Sequence, residues 1–226
     1  MDVDPKDQGE YNFSDKMTIG AKCKICRRVG EKLFLRGERC LSPKCAIVKR
    51  AYPPGQKRKR RKGPLSEYGK ELREKQKLRH WYNLEERQFK NYVNKILKKK
   101  GGVKDASGLF IKMLESRLDN VIFRLGFVLS RAKARQLVSH GFFLVNGKTM
   151  NFPAHQLKKG DVVKLKPEKS KKEIAKQFKN LVKKQTPPSW LKLNPEKLEA
   201  KVVGEPTPEE AAPPVEIAAI FEFYSR

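Results

Sequence analysis

The sequence predicts an α+β protein. A mainly helical N-terminal domain with a zinc knuckle is followed by a small module in which helices pack on a short antiparallel sheet. Three observations predict it. Apolar residues recur at helical spacing, as in Phe89, Tyr92, Val93, Ile96 and Leu97. Between Phe142 and Leu165 the pattern changes to short strand-like runs around an Asn146-Gly147 turn. Ahead of both, Cys23, Cys26, Cys40 and Cys45 are spaced C-x2-C-x13-C-x4-C.

In chain order, residues 1–18 read as an acidic extension (Asp2, Asp4, Asp7, Glu10) of the kind that stays disordered unless tied down. Residues 19–48 hold the cysteines. Four thiolates at this spacing suit tetrahedral zinc, and the surrounding Lys and Arg side chains favour the thiolate form. A four-Cys iron–sulfur cluster is the alternative. No histidine or open ligand position accompanies them, so the expected role of one Zn2+ is structural. In a segment too short and charged to bury much core, the metal replaces one.

Residues 49–104 are read as a basic linker and helical domain. Tyr52-Pro53-Pro54-Gly55 is a turn-rich passage. It leads into six consecutive cations, Lys57, Arg58, Lys59, Arg60, Arg61 and Lys62, expected to form a phosphate-contacting arm. Ser66 can cap a helix running to about His80, and Asn83 with Glu86 resembles a capping box for the next. Trp81, Tyr82 and Tyr92 are expected in the core rather than stacked on bases. His80 and His155 are expected at the surface or on phosphate.

Residues 105–180 are read as the module. Asp105 or Ser107 starts its first helix, and Gly126 ends the second. Ser130 and Gly141 bracket a third, with Ala134, Leu137 and Val138 facing inward. Arg131, Lys133 and Arg135 are expected outward on that helix, beside an N-terminus that itself favours phosphate. Asn146-Gly147 closes a hairpin, and Gly160-Asp161 leads into a last strand, 162–165. The closing segment, 181–226, holds an acidic Pro-rich stretch from 204 to 214. Its apolar end, 215–224, reads as a docked strand or short segment.

Charge narrows the partner. With 52 Lys and Arg against 25 Asp and Glu, the formal net charge is +27 over 226 residues. A bound polyanion relieves the self-repulsion this creates, and nucleic acid comes before an anionic membrane surface. No apolar run approaches the roughly 20 residues that span a bilayer. The N-terminus has no apolar h-region. A cytoplasmic protein with reduced or metal-bound cysteines is expected.

The run Arg117-Leu118-Asp119-Asn120, Arg124-Leu125-Gly126, Ser130-Arg131-Ala132-Lys133-Ala134-Arg135-Gln136-Leu137-Val138, Val145-Asn146-Gly147-Lys148 and Gly160-Asp161 resembles the S-four RNA-binding module. That module also occurs in pseudouridine synthases and some tyrosyl-tRNA synthetases. Further matches narrow the family. The segment from Cys23 to Ala46, Tyr52-Pro53-Pro54-Gly55-Gln56, Leu65-Ser66-Glu67-Tyr68-Gly69 and the end Glu222-Phe223-Tyr224-Ser225-Arg226 resemble the zinc-bearing form of the bacterial small-subunit ribosomal protein S-four family.

The resemblance implies a non-enzymatic constituent of the small ribosomal subunit. It would bind the 5′ domain of 16S rRNA early in assembly and lie where mRNA enters, beside ribosomal proteins S-three and S-five. It would support decoding accuracy, and some members repress their own mRNA. No membrane and no small-molecule substrate are implied. Residues after about 180 would return to dock on the helical domain. The candidate RNA contacts are Arg27, Arg28, Lys49, Arg50, Tyr52, the run 57–62, Arg73, Lys75, Lys77, Arg117, Ser130, Arg131, Lys133, Arg135, Gln136, His140, Asn146 and Lys148. One departure is plain: the family often has His-Gly soon after the Pro-Pro-Gly-Gln turn, where this chain has Lys57 to Lys62.

Two other classes fit less well. A pseudouridine synthase or synthetase needs a further catalytic domain, for which no residues remain. No nucleotide-binding glycine loop is present either, since Gly101-Gly102 lacks a P-loop context. A zinc-containing DNA-binding regulator would present a reading helix with base-directed Asn, Gln or Arg and dimer symmetry. The spread-out cations here suit A-form RNA, which is recognised by shape, backbone and 2′-hydroxyls.

Overall fold

The computed structural model describes residues 21–55, 64–98, 105–170, 173–182 and 185–225. The N-terminal extension 1–18, the cationic run 57–62 and the Gly101-Gly102 pair lie outside them.

The chain opens with short helices around the cysteines: α1 (Lys22–Val29), α2 (Glu38–Leu41) and α3 (Ala46–Lys49). The helical domain follows with α4 (Glu67–Trp81), α5 (Glu86–Leu97) and α6 (Ala106–Glu115). Ser66 caps α4 by accepting a hydrogen bond from the Gly69 amide at 3.2 Å. Asp105 caps α6 through the Gly108 amide at 2.7 Å. The expected Asn83 cap is replaced by something else. Asn83 is buried with a left-handed φ of 55° and turns the chain between α4 and α5, and Glu85 stands at the N-cap of α5.

The helical core joins Leu78, Tyr82, Leu84, Phe89, Tyr92, Val93 and Ile96 to Phe110 and Leu114 of α6 and to Ile220. Full burial of each such aliphatic or aromatic side chain stabilises by about 1.5–3 kcal/mol. Because Phe110 and Leu114 sit in this cluster, the change of core falls after Glu115 rather than at residue 105.

The module begins with α7 (Leu118–Arg124) and α8 (Arg131–Ser139), then β1 (Phe143–Val145), β2 (Lys148–Met150) and β3 (Val162–Leu165). After α9 (Pro167–Ser170) and α10 (Glu173–Val182) come β4 (Leu191–Asn194) and β5 (Glu199–Val202). All pairings in the sheet are antiparallel, in the order β2-β1-β3-β5-β4. Phe143 faces Leu165 and Val163 faces Ala200 across the ladder. The inward side chains Phe143, Val145, Val163, Leu165, Ala200 and Val202 share a cluster with Val121, Ile122, Ala134, Leu137, Val138 and Phe178.

The last segment therefore does not return as one piece to the helical domain. Residues 191–202 extend the module's sheet. After it, α11 (Pro208–Ala211) lies against α6, and the end docks on the helical core as a helix, not as a strand. Ile217, Ile220, Phe221 and Tyr224 of α12 (Ile217–Ser225) recur at i, i+3, i+4 and i+7 and pack on the helical core. Tyr224 Oη donates to Glu86 Oε1 at 2.8 Å, and Lys75 lies 4.4 Å from the Phe223 ring centroid.

Candidate nucleic-acid interface

The basic N-terminal surface is built by Arg27. Its Nε donates to the carbonyl oxygens of Arg50 (3.1 Å) and Tyr52 (2.9 Å), and its guanidinium lies 4.8 Å from the Tyr52 ring centroid. The Tyr52-Pro53 turn is thereby folded back on α1. Arg73 Nη2 donates to the Val29 carbonyl at 2.6 Å and ties α4 to the end of α1.

What these struts leave is a concavity of about 770 Å³ lined by Arg27, Glu38, Arg39, Ser42, Lys44, Ala46, Lys49 and Arg50. Five cations face one carboxylate there, and Arg39, Lys44, Lys49 and Arg50 are exposed. Arg28 is exposed as well. Sequence reasoning missed Arg39 and Lys44, although each directly precedes one of the four cysteines, Cys40 and Cys45.

Cys26, Cys40 and Cys45 are buried and Cys23 is half-buried, all as free thiols. Burial raises the Cys26 pKa, a hydrogen bond from the Leu33 backbone opposes this, and the charges of Cys40, Cys23 and Cys45 raise it further. The four sulfurs are thus electrostatic neighbours. The Arg36 amide also donates to Cys40 Sγ at 3.4 Å. This donor set, four thiols with backbone N–H groups turned toward two of them, has the chemistry of a structural zinc site. As placed, no three His, Cys, Asp or Glu side chains among the described residues form a cluster that could hold a metal ion.

On the module, Ser130 Oγ caps α8 by accepting from the Lys133 amide at 3.3 Å. Lys133, His140 and Lys148 are exposed, and Lys133 Nζ donates to Gln136 Oε1 at 3.2 Å. Asn146 and Gly147 adopt φ of 49° and 82° in the hairpin turn. Asn146 Nδ2 donates to Asp161 Oδ1 (2.8 Å), and its Oδ1 accepts from the Val162 amide (2.9 Å), which fixes the hairpin tip to β3.

Other expected contacts are engaged inside the protein. Arg131 is buried. Its Nε donates to Asn120 Oδ1 at 2.8 Å, and its guanidinium lies 4.0 Å, 4.4 Å and 4.9 Å from the ring centroids of Trp81, Phe123 and Tyr82. Burial lowers its pKa to about 10 against the favourable charge of Glu115. Arg117, 1 % exposed, grips the Asp119 carboxylate with Nε and Nη2 and donates from Nη1 to Tyr92 Oη at 2.7 Å. Arg135 is half-buried and reaches Asn83 O and Gln88 Oε1. Lys75 and Lys77 are buried against Glu86 (2.7 Å) and Glu31 (2.6 Å). These cations are removed from the surface because each found a carboxylate, a carbonyl or an aromatic face nearby.

Known families match this architecture. Residues 17–115 match the ribosomal protein S4/S9 N-terminal domain, and residues 116–163 match the S4 domain. The small ribosomal subunit protein uS4 of Halothermothrix orenii is 47% identical over 207 residues, covering 92% of this chain and 98% of that protein. That of Thermodesulfovibrio yellowstonii is 45% identical over the same coverage. The Thermus thermophilus protein is 44% identical over 208 residues, again 92% and 98%.

The chain belongs to the uS4 family of ribosomal proteins. The uS4 family is structural and not enzymatic. Its first domain ends at Glu115 by sequence match, the same residue at which the packing changes from the helical core to the module. Among the described residues no helix is long and apolar enough to cross a membrane.

Proposed function

We propose that this chain is an RNA-binding constituent of the small ribosomal subunit that holds the 5′ domain of 16S rRNA from two sides. One surface is the cationic concavity around α1 to α3, and the other is the exposed face of α8 and the hairpin with Lys133, His140 and Lys148. The observation that carries this reading is the concavity, where five cations face one carboxylate on a frame fixed by Arg27 and Arg73. Such a surface contributes salt-dependent, sequence-blind affinity for phosphates. The relatives' shared name, small ribosomal subunit protein uS4, supports the choice of rRNA among polyanions.

In the same reading the protein enters the subunit early and nucleates folding of the 5′ domain. It lies where mRNA enters, beside ribosomal proteins S-three and S-five, and supports decoding accuracy. Repression of its own mRNA, as in some members of the family, is a further role that the resemblance suggests. One Zn2+ held by Cys23, Cys26, Cys40 and Cys45 keeps the concavity in shape when bound. The donor chemistry and the backbone N–H groups directed at sulfur support a structural four-Cys metal site.

The test is direct binding of purified protein to a transcript of the 16S 5′ domain, with an unrelated structured RNA of equal length as competitor. Tight binding that survives the competitor is expected. Equal affinity for both RNAs overturns the assignment to 16S rRNA.

A further inference from the structure

Glu115 lies at the boundary between the two halves and is 1 % exposed. It ends α6, and so belongs to the helical half. It accepts from Tyr82 Oη (2.7 Å) on its own side. From the module it accepts Asn120 Nδ2 (2.7 Å) and both Arg124 Nε (2.9 Å) and Nη2 (2.8 Å). A second crossing lies beside it, where Arg117 of the module donates to Tyr92 Oη of α5 at 2.7 Å.

Apolar packing would hold two domains together without fixing their angle, because it is not directional. Buried charge is a poor source of stability, since desolvating the ions offsets most of their attraction. What it supplies is direction. The bidentate Arg124–Glu115 pair and the Arg117–Tyr92 bond are satisfied at one mutual orientation of the halves and broken at others.

We propose that Glu115 and Tyr92 are positioning residues for RNA binding: they lock the angle between the helical half and the module, so that the two basic surfaces meet RNA already arranged. The proposal rests on the reading that both surfaces hold one RNA. A second surface that is pre-aligned binds as an intramolecular event, and loosening the lock lowers its effective concentration. No phosphate contact is lost, so the electrostatic part of binding stays as it was.

The test uses the full-length protein with Glu115→Gln and, separately, Tyr92→Phe. The second removes one hydroxyl from a side chain in the middle of α5 and leaves the ring packed, so it carries the test if Glu115→Gln fails to fold. Affinity for the 5′-domain transcript is measured across salt concentrations. Residual dipolar couplings of the free protein report the relative orientation of the halves. Expected are a loss of about tenfold in affinity, an unchanged slope of log K against log salt, and a broadened interdomain orientation.

Wild-type affinity in both variants overturns the positioning role while leaving the RNA reading intact. A fall in slope of about 0.9 overturns it too, because that marks a lost phosphate contact. Failure of the wild-type protein to bind the transcript overturns the RNA reading, and this proposal with it.

Discussion

The Arg131 guanidinium lies 4.0 Å from the ring centroid of Trp81, a residue of the other domain, with Asn120 as its hydrogen-bond partner. A cation that sequence places on an RNA-facing helix is therefore a rivet between the halves. Its Nη2 is buried with no hydrogen-bond partner among the described residues, in a cage of aromatic faces. Much of its contribution is then packing of the side-chain stem and stacked plane rather than charge. Arg131→Met should cost roughly 1–2 kcal/mol, because an apolar side chain of similar length fills the cage without a desolvated ion but leaves the buried Asn120 Oδ1 without its donor. Arg131→Ala should cost about 3 kcal/mol through the cavity it leaves. Chemical denaturation checks both, and an Arg131→Met loss as large as that of Arg131→Ala would assign the stabilisation to charge.

The pH dependence of folding should carry the mark of His80. Arg79 Nη2 lies 3.1 Å from His80 Nε2, and arginine can only donate, so Nε2 accepts and Nδ1 bears the proton. Burial, then the charges of Arg79 and Arg28, lower the pKa from 6.5 to about 4, with Glu86 opposing. A group whose pKa is depressed by folding stabilises the fold while deprotonated. His80 contributes fully above about pH 6.5, and that contribution is lost as pH falls toward 4.

Glu86 and Glu115 extend the loss at lower pH. Burial opposes ionisation of both, but Lys75 and Tyr224 at Glu86 and Arg124 at Glu115 overcome it and leave the pKa below 4.5. Their stabilisation is present above that value and disappears as pH drops through the depressed one. Thermal melts at pH 7.5 and pH 5 should therefore show a drop that His80→Gln reduces. An identical drop in the variant would remove His80 from the account.

The module was the most legible part of the chain, because its signals are local. Ser130, Gly126, Gly141 and Asn146-Gly147 act on their own backbone, and the structure uses them at a cap, two left-handed glycines and a hairpin turn. The sheet edge β4–β5 was missed. Leu191 to Asn194 and Glu199 to Val202 alternate over only four residues each, too short a window to separate from a loop. The end of the chain was misread as strand-like because Ala218 and Ala219 carry no polarity to mark an outer helix face. Two of the buried cations were illegible in one dimension. Lys75 and Arg131 look like Lys133 there, and only the fold brings Glu86 and Trp81 beside them, whereas Arg117 already has Asp119 two positions on.

The same distinction predicts RNA binding site by site. Replacing exposed Lys49 and Arg50 together with Ala should lower the slope of log K against log salt by roughly 1.8, about 0.9 for each lost phosphate contact. Replacing Lys133 and Lys148 together should do the same. Lys77→Met, at a buried position paired with Glu31, should leave the slope unchanged. Salt titrations of transcript binding check this, and a Lys77 effect equal to that of the exposed pairs would mean that slopes follow net charge alone.

Metal should govern the concavity but not the module. Among the described residues, the apolar cluster around the cysteines has Cys26, Val29, Leu33 and Leu35 as its buried members. Ordering the chain from α1 to α3 costs roughly 1–2 kcal/mol per residue in backbone entropy, more than so small a cluster can offset. Four thiolate–zinc bonds would supply the difference. The module instead has a continuous core running through Val121, Phe143 and Phe178. Metal analysis of purified protein should find about one zinc per chain. Chelation should raise amide exchange throughout 21–50 while β1 to β5 stay protected, and RNA affinity should fall with it. If the sheet loses protection in step with the cysteine segment, the two halves unfold as one unit and zinc supports the whole protein. If neither region changes and no zinc is found, the cysteines hold this segment by packing alone.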